Sequence, residues 1–163
     1  MIFVTVGTHE QQFNRLISAI DELKGENIIL DDVVIQRGYS TYTPKFCKCY
    51  DLLSYEDMDK YVNDARIVIT HGGPASFLSV IASGKTPIVV PRQEKYDEHV
   101  NNHQLDFTKQ LVARGFPIVV VEEVEQLPSA IENVEKQNDK IEILTHNDKF
   151  IKDLNEELNK LFG

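Results

Sequence analysis

Arg66-Ile67-Val68-Ile69-Thr70-His71-Gly72-Gly73-Pro74-Ala75-Ser76-Phe77 packs a strand, a glycine turn and a helix start into twelve residues. The β-branched run Ile67 to Ile69 reads as a buried strand. Two glycines stop it, and Pro74 suits the first helical turn, where its missing N–H leaves no bond unmade. The helix then runs to Gly84.

The same alternation recurs on either side. Ile2 to Val6 is a strand ending at Gly7, followed by Phe13, Leu16, Ile17 and Ile20 at helical spacing. Asp32 to Gln36 is a second apolar run, ending at Arg37-Gly38. Ser54 opens a helix, with Asp57 three residues on in a near capping box. Pro87 to Pro91 and Pro117 to Val121 are further strands, separated by a long helix over about 99–113 that stops at Gly115. The stretch 36–50 is the least regular and reads as a loop or a short extra strand. A charged amphipathic pattern predicts a C-terminal helix over about 147–161. Strands divided by helices of this length require crossover connections and a mainly parallel sheet. The expectation is an α/β fold, one Rossmann-like doubly wound sheet in a single domain over 1–163.

Composition agrees with that reading. The chain has 163 residues, is 42% hydrophobic and 26% charged, and carries a net charge of -9. These values describe an ordinary globular domain and exclude disorder and disulfide scaffolds. Nucleic acid is excluded as a partner, since phosphate binding needs concentrated Lys and Arg. The opening MIFVTVGTHE lacks a basic n-region and a cleavage site, and no apolar run approaches about 18 residues. A soluble cytosolic chain is expected. Cys47 and Cys49 form a lone C-x-C, short of the four ligands that a zinc site takes, and read as free thiols. One oddity remains: the chain is short for an enzyme holding two substrates in an interdomain cleft.

In an open parallel sheet, ligands bind beyond the carboxyl ends of the strands, at helix N-termini. Three strand ends qualify: Gly7-Thr8-His9-Glu10, the 70–76 glycine turn, and Pro91-Arg92-Gln93-Glu94-Lys95 with 97–104 behind it. Paired glycines admit a ligand to the backbone, and Ser76 adds a hydroxyl, so a diphosphate suits the 70–76 turn. The same glycines could serve a tight turn for steric reasons alone. No G-x-G-x-x-G or P-loop pattern is present. Asp57-Met58-Asp59 spells D-x-D, but within a helix its carboxylates diverge, as on a solvated face. His9 can act as a general base or simply bond a phosphate or the backbone at a helix start. Glu98 with Asn102, and His99 with His103, fall at i and i+4 around the start of the expected helix. Such a face offers the donors and acceptors that sugar hydroxyls need, or is merely a solvated helix start.

These segments resemble the C-terminal, nucleotide-sugar-binding half of family 28 glycosyltransferases, which have the GT-B fold. FVTVGT with His9-Glu10-Gln11-Gln12-Phe13-Asn14-Arg15-Leu16-Ile17 is similar to bacterial PssE-type exopolysaccharide galactosyltransferases, as are ITHGGPASF, PIVVPRQ and EHVNNHQ. The chain is also similar to the catalytic subunit of the two-part eukaryotic N-acetylglucosaminyltransferase that extends dolichol-linked GlcNAc. The likeness covers most of residues 1–110. It implies that Gly7, Thr8, His71, Gly72, Gly73, Ser76 and Gln93 bind UDP. It also implies that Glu98, His99 and Asn102 approach the sugar; Gln104 on the same polar face joins them, and His9 and Glu98 are the catalytic candidates. Ser79 stands where larger relatives often carry an acidic ribose ligand, so Gln93 or Glu94 would share that task. The implied reaction is metal-independent, cofactor-free, inverting transfer of galactose from UDP-galactose to a lipid-linked saccharide. The alternatives are UDP-N-acetylglucosamine as donor, or a non-catalytic nucleotide-sugar-binding subunit. The implied partner is a membrane-anchored PssD-like subunit that holds this acidic chain at the inner membrane face.

Overall fold

The computed structural model describes residues 1–134 together with Lys152 and Glu156. Apart from those two residues, the helix expected over 147–161 lies outside the described residues. In chain order the elements are β1 (Ile2–Thr5), α1 (Asn14–Gly25), β2 (Val33–Gln36), β3 (Lys48–Tyr50), α2 (Tyr55–Asp64), β4 (Ile67–His71), α3 (Pro74–Ala82), β5 (Ile88–Val90), α4 (His103–Ala113) and β6 (Val119–Val120). The strands form one sheet in the order β3-β2-β1-β4-β5-β6. Every neighbouring pair is parallel, so the α/β doubly wound expectation holds. The irregular stretch before Tyr50 supplies the edge strand β3.

Strand periodicity explains how both faces are covered. Ile2, Val4, Val33, Ile35, Ile67, Ile69, Ile88 and Val90 point to one side, where they meet Phe13, Leu16, Ile17 and Ile20. Phe3, Val34 and Val68 point to the other and pack with Val62 and Val80, while Val89 packs with Phe77, Phe107 and Leu111. Each such side chain is worth roughly 1.5–3 kcal/mol when fully buried. A one-residue register slip would exchange the two faces, which pins the pairing of Thr5 with Gln36 and Thr70.

The Ser54 hydroxyl accepts from the Asp57 N–H at 3.1 Å and caps α2 as expected. The helix expected over about 99–113 begins later, at His103. Glu94–Tyr96 forms a 3-10 turn instead, and Asp97 follows in the left-handed region at φ 56. Glu98, His99 and Asn102 therefore lie ahead of the helix, and the predicted helical pairing of Glu98 with Asn102 and of His99 with His103 does not exist. The last strand is also shorter than predicted, at Val119–Val120.

Candidate functional site

Strand order reverses between β1 and β4, and the crevice above that point is the expected ligand site. A pocket of about 460 Å³ opens there, lined by Gly7, Thr8, His9, Gln36, Leu52, Leu53, Met58, His71, Gly73, Pro74, Ala75, Ser76 and Gln104. Three elements meet in it: the turn after β1, the turn between β4 and α3, and the Leu52-Leu53 segment leading to α2. Neither Lys, Arg, Asp nor Glu stands on this wall.

His71 organises the floor. It ends β4 and is buried between two glycines: a Cβ on Gly7 or on Gly73 would collide with its ring. Gly7 also sits at φ +76, where a side chain is strained. The Gly73 N–H donates to His71 Nδ1 at 3.2 Å, so Nδ1 is an acceptor and the neutral ring carries its proton on Nε2. Nε2 then donates to Ser76 Oγ at 3.0 Å. Burial, reinforced by the charge of Arg92, pushes the His71 pKa from 6.5 down to about 3. A Ser76 hydroxyl that accepts from His71 keeps its own hydrogen for a ligand. Ser76 lies in the first turn of α3, where the helix dipole favours an anion, while its own N–H bonds the Gly73 carbonyl at 3.1 Å.

Gln104 and Gln36 brace this floor from either side. Gln104 Oε1 accepts from the Gly72 N–H at 3.1 Å and the Arg92 N–H at 3.0 Å. Gln36 accepts from Thr5 Oγ1 at 2.5 Å, and its amide donates to the carbonyls of Gly7 and Asp51 at 3.1 Å each. His9 is half-buried on the pocket wall, and its ring stacks on His99 with centroids 4.7 Å apart and 7° between planes. His9 Nε2 lies 2.8 Å from Gln11 Oε1.

Of the residues singled out in sequence, the structure brings Gly7, Thr8, His9, His71, Gly73, Ser76 and Gln104 together around the pocket, with His99 behind His9. Others are elsewhere. Glu98 is fully buried, and its carboxylate accepts from Arg15 Nε and Nη2 at 2.9 Å each and from the Gln93 N–H at 3.1 Å. The carboxylate is thus engaged in a packing ion pair and does not line the pocket. Gln93 is buried with its amide donating to the Glu122 carbonyl at 2.9 Å, away from the pocket wall. Gly72 is buried against Gln104 and does not line the pocket. Asn102 holds the Glu94 N–H at 3.0 Å, and exposed Ser79 donates to the Ser76 carbonyl at 2.7 Å. Asp57 and Asp59 are exposed on α2, as a solvated face requires.

Sequence reasoning names Arg92 only as part of the strand end 91–95, and it misses Gln36 and the Leu52, Leu53 and Met58 wall. Gln36 left one trace, as a polar residue closing a β-branched run at the carboxyl end of a strand. Cys47 and Cys49 are free, and burial pushes the Cys47 thiol up to about 12. Among the described residues, no helix is long and apolar enough to cross a membrane.

The model for the glycosyltransferase family 28 C-terminal domain matches residues 1–158. UDP-N-acetylglucosamine transferase subunit ALG13 of Homo sapiens is 37% identical over 70% of the chain. The Mus musculus protein of that name is 33% identical over 69% of it. The chain spans about a tenth of the length of these relatives. Two solved structures share the fold: the calicheamicin glycosyltransferase CalG4, with a TM-score of 0.61 at 12% identity over 99% of this chain and 43% of that one, and SnogD of Streptomyces nogalater, with 0.58 at 16% over 90% of this chain and 39% of that one.

Proposed function

This chain belongs to the glycosyltransferase family 28 C-terminal domains, and from that premise we propose that it is the donor-binding subunit of an inverting, UDP-sugar-dependent hexosyltransferase. The observation that carries the reading is the His71–Ser76 pair beneath the first turn of α3. It offers a hydroxyl hydrogen at the positive end of the α3 dipole to a diphosphate, at the sheet position where such ligands bind. Gly7 and Gly73 leave room for the His71 ring, which is thereby seated under the pocket floor beside Ser76. Leu52, Leu53 and Met58 give the same pocket an apolar side suited to the flat face of a base.

The acceptor hydroxyl attacks the anomeric carbon, the bond to the diphosphate breaks, and UDP departs with the electron pair. Positive dipole and hydrogen bonds at the α3 end stabilise the charge that develops on UDP. No carboxylate lines the pocket to bridge a metal to the diphosphate, so transfer without a metal fits the donor set. The acceptor's proton passes to His9, which lines the pocket, or to a group on a partner subunit.

The transferred sugar is galactose on the likeness of Phe3 to Ile17 to PssE-type subunits, and the acceptor is a lipid-linked saccharide in exopolysaccharide or capsule synthesis. N-acetylglucosamine is the second reading, favoured by the ALG13 relatives. Those relatives are named as subunits, which supports a partner carrying the acceptor half and the membrane contact.

Calorimetric titration of UDP, UDP-galactose and UDP-N-acetylglucosamine tests the donor reading and ranks the two sugars. No UDP affinity would overturn it. Full turnover by the lone chain on a lipid-free acceptor would remove the partner from the account.

A further inference from the structure

A diphosphate site usually shows its cations, yet the pocket wall described above has no Lys or Arg. The nearest buried cation stands behind it. Arg92 follows β5 and is fully buried. Its Nη2 donates to the Val6 carbonyl at 2.9 Å, the residue before Gly7. Its Nη1 donates to the carbonyls of Gln11, Gln12 and Glu98 at 2.9, 3.3 and 3.0 Å. The guanidinium lies 5.0 Å from the Phe13 ring centroid, and its Nε is buried without a partner. One side chain thus ties the turn after β1 to the loop after β5, and through its backbone N–H it shares Gln104 with the glycine turn.

The charge count is equally telling. Glu98 is the only buried carboxylate in this cluster, and both its oxygens bond Arg15. Arg92 reaches Glu98 only at the backbone carbonyl. Arg15, Arg92 and Glu98 together therefore carry one positive charge, with Arg92 and Glu98 fully buried and Arg15 partly so. A buried cation without an ion-pair partner is expensive unless an anion comes close. Its field already reaches the pocket floor, where it helps to keep His71 unprotonated.

We infer that Arg92 is the charge behind the diphosphate site: a positioning residue that sets both loops and attracts the anion through the protein interior without touching it. This rests on the donor reading above. Low dielectric makes such a charge effective at distance, and burial shields it from salt. An exposed lysine on the wall would act oppositely, because salt would screen it. The net charge of -9 repels UDP at long range, so added salt weakens the repulsion and leaves the buried attraction in place.

The test compares UDP with uridine on the full chain, by calorimetry for UDP and by NMR titration for the neutral nucleoside. In wild type, UDP affinity changes by less than about threefold between roughly 50 and 500 mM salt. Arg92→Met lowers UDP affinity by about tenfold or more while uridine stays within about threefold. Arg92→Lys, which keeps the charge, holds the UDP-to-uridine ratio within about threefold of wild type. Equal losses for both ligands in Arg92→Met would make Arg92 a merely structural residue and overturn the inference. So would a salt-driven loss of about tenfold or more in wild type. Should Arg92→Met fail to fold, a folded Arg92→Lys that loses the ratio overturns it equally. Absence of UDP binding in wild type is a different outcome, and it removes the donor reading itself.

Discussion

The imidazole of His71 occupies the volume that a side chain on Gly7 would need. A Cβ built there collides with Nε2 and lies 2.8 Å from Cε1. The turn after β1 and the end of β4 are thus fitted to each other across the switch point of the sheet, with His71 as the common wall.

Gly7→Ala therefore combines two penalties. At φ +76 an L-residue is disfavoured by about 1–2 kcal/mol, and the methyl group must also displace His71 from Ser76. Expected are a fall in melting temperature of at least about 2–4 °C and loss of UDP binding by more than about tenfold. An Ala variant with wild-type melting and UDP affinity would show that the floor yields freely.

Ser76→Ala separates binding from folding. The hydroxyl accepts from His71 and has a hydrogen left over, so its removal takes a donor from the ligand and leaves the His71 Nε2 proton facing the pocket. UDP affinity should fall by about tenfold, about 1.4 kcal/mol, with the melting temperature moved by less than about 2 °C. Ser76→Thr, which retains the hydroxyl, should recover part of the loss.

Legibility follows from which contacts are local. The strands show as β-branched runs, and the turns after β1 and β4 announce themselves with Gly7, Gly72, Gly73 and Pro74, because backbone sterics there are written in neighbouring residues. The segment 92–102 is different. It has helix-compatible residues, yet the buried pair of Glu98 with Arg15, 83 positions away, holds it off the helix until His103. The burial of Arg92 within the strand end 91–95 is not legible for the same reason: the carbonyls that hold it come from Val6, Gln11 and Gln12 on another turn. Gly72 looks like its neighbour Gly73 in sequence, and only packing against Gln104 tells them apart.

Acid should destabilise the protein through His71. Burial first, and the charge of Arg92 second, hold this ring at about 3 against an ordinary 6.5. Between those values the unfolded chain binds a proton that the folded chain does not, so stability falls as pH drops from about 6.5 toward 3. One such group contributes at most about 1.4 kcal/mol per pH unit. His99, lowered mainly by its own burial, adds the same sign. Asp31, held at about 2 by Arg66, acts only below its ordinary value of 3.8. Melting curves between about pH 7 and 5 should therefore fall less steeply for His71→Gln than for wild type. Parallel curves would rule out a neutral buried imidazole.

Glu98→Ala tells a packing ion pair from a catalytic acid. Removing the carboxylate leaves Arg15 half-buried without its bidentate partner and the Gln93 N–H without its acceptor. Breaking such a pair is expected to destabilise by roughly 3–5 kcal/mol, about 6–20 °C in melting temperature. In the folded fraction, UDP binding should not be lost, because the carboxylate does not line the pocket and its removal raises the positive charge that the buried cluster presents to an anion. Arg15→Met combined with Glu98→Leu replaces the pair with apolar groups and should recover much of the lost stability. A stable Glu98→Ala protein that binds UDP normally yet has no turnover with its partner would return Glu98 to the reaction.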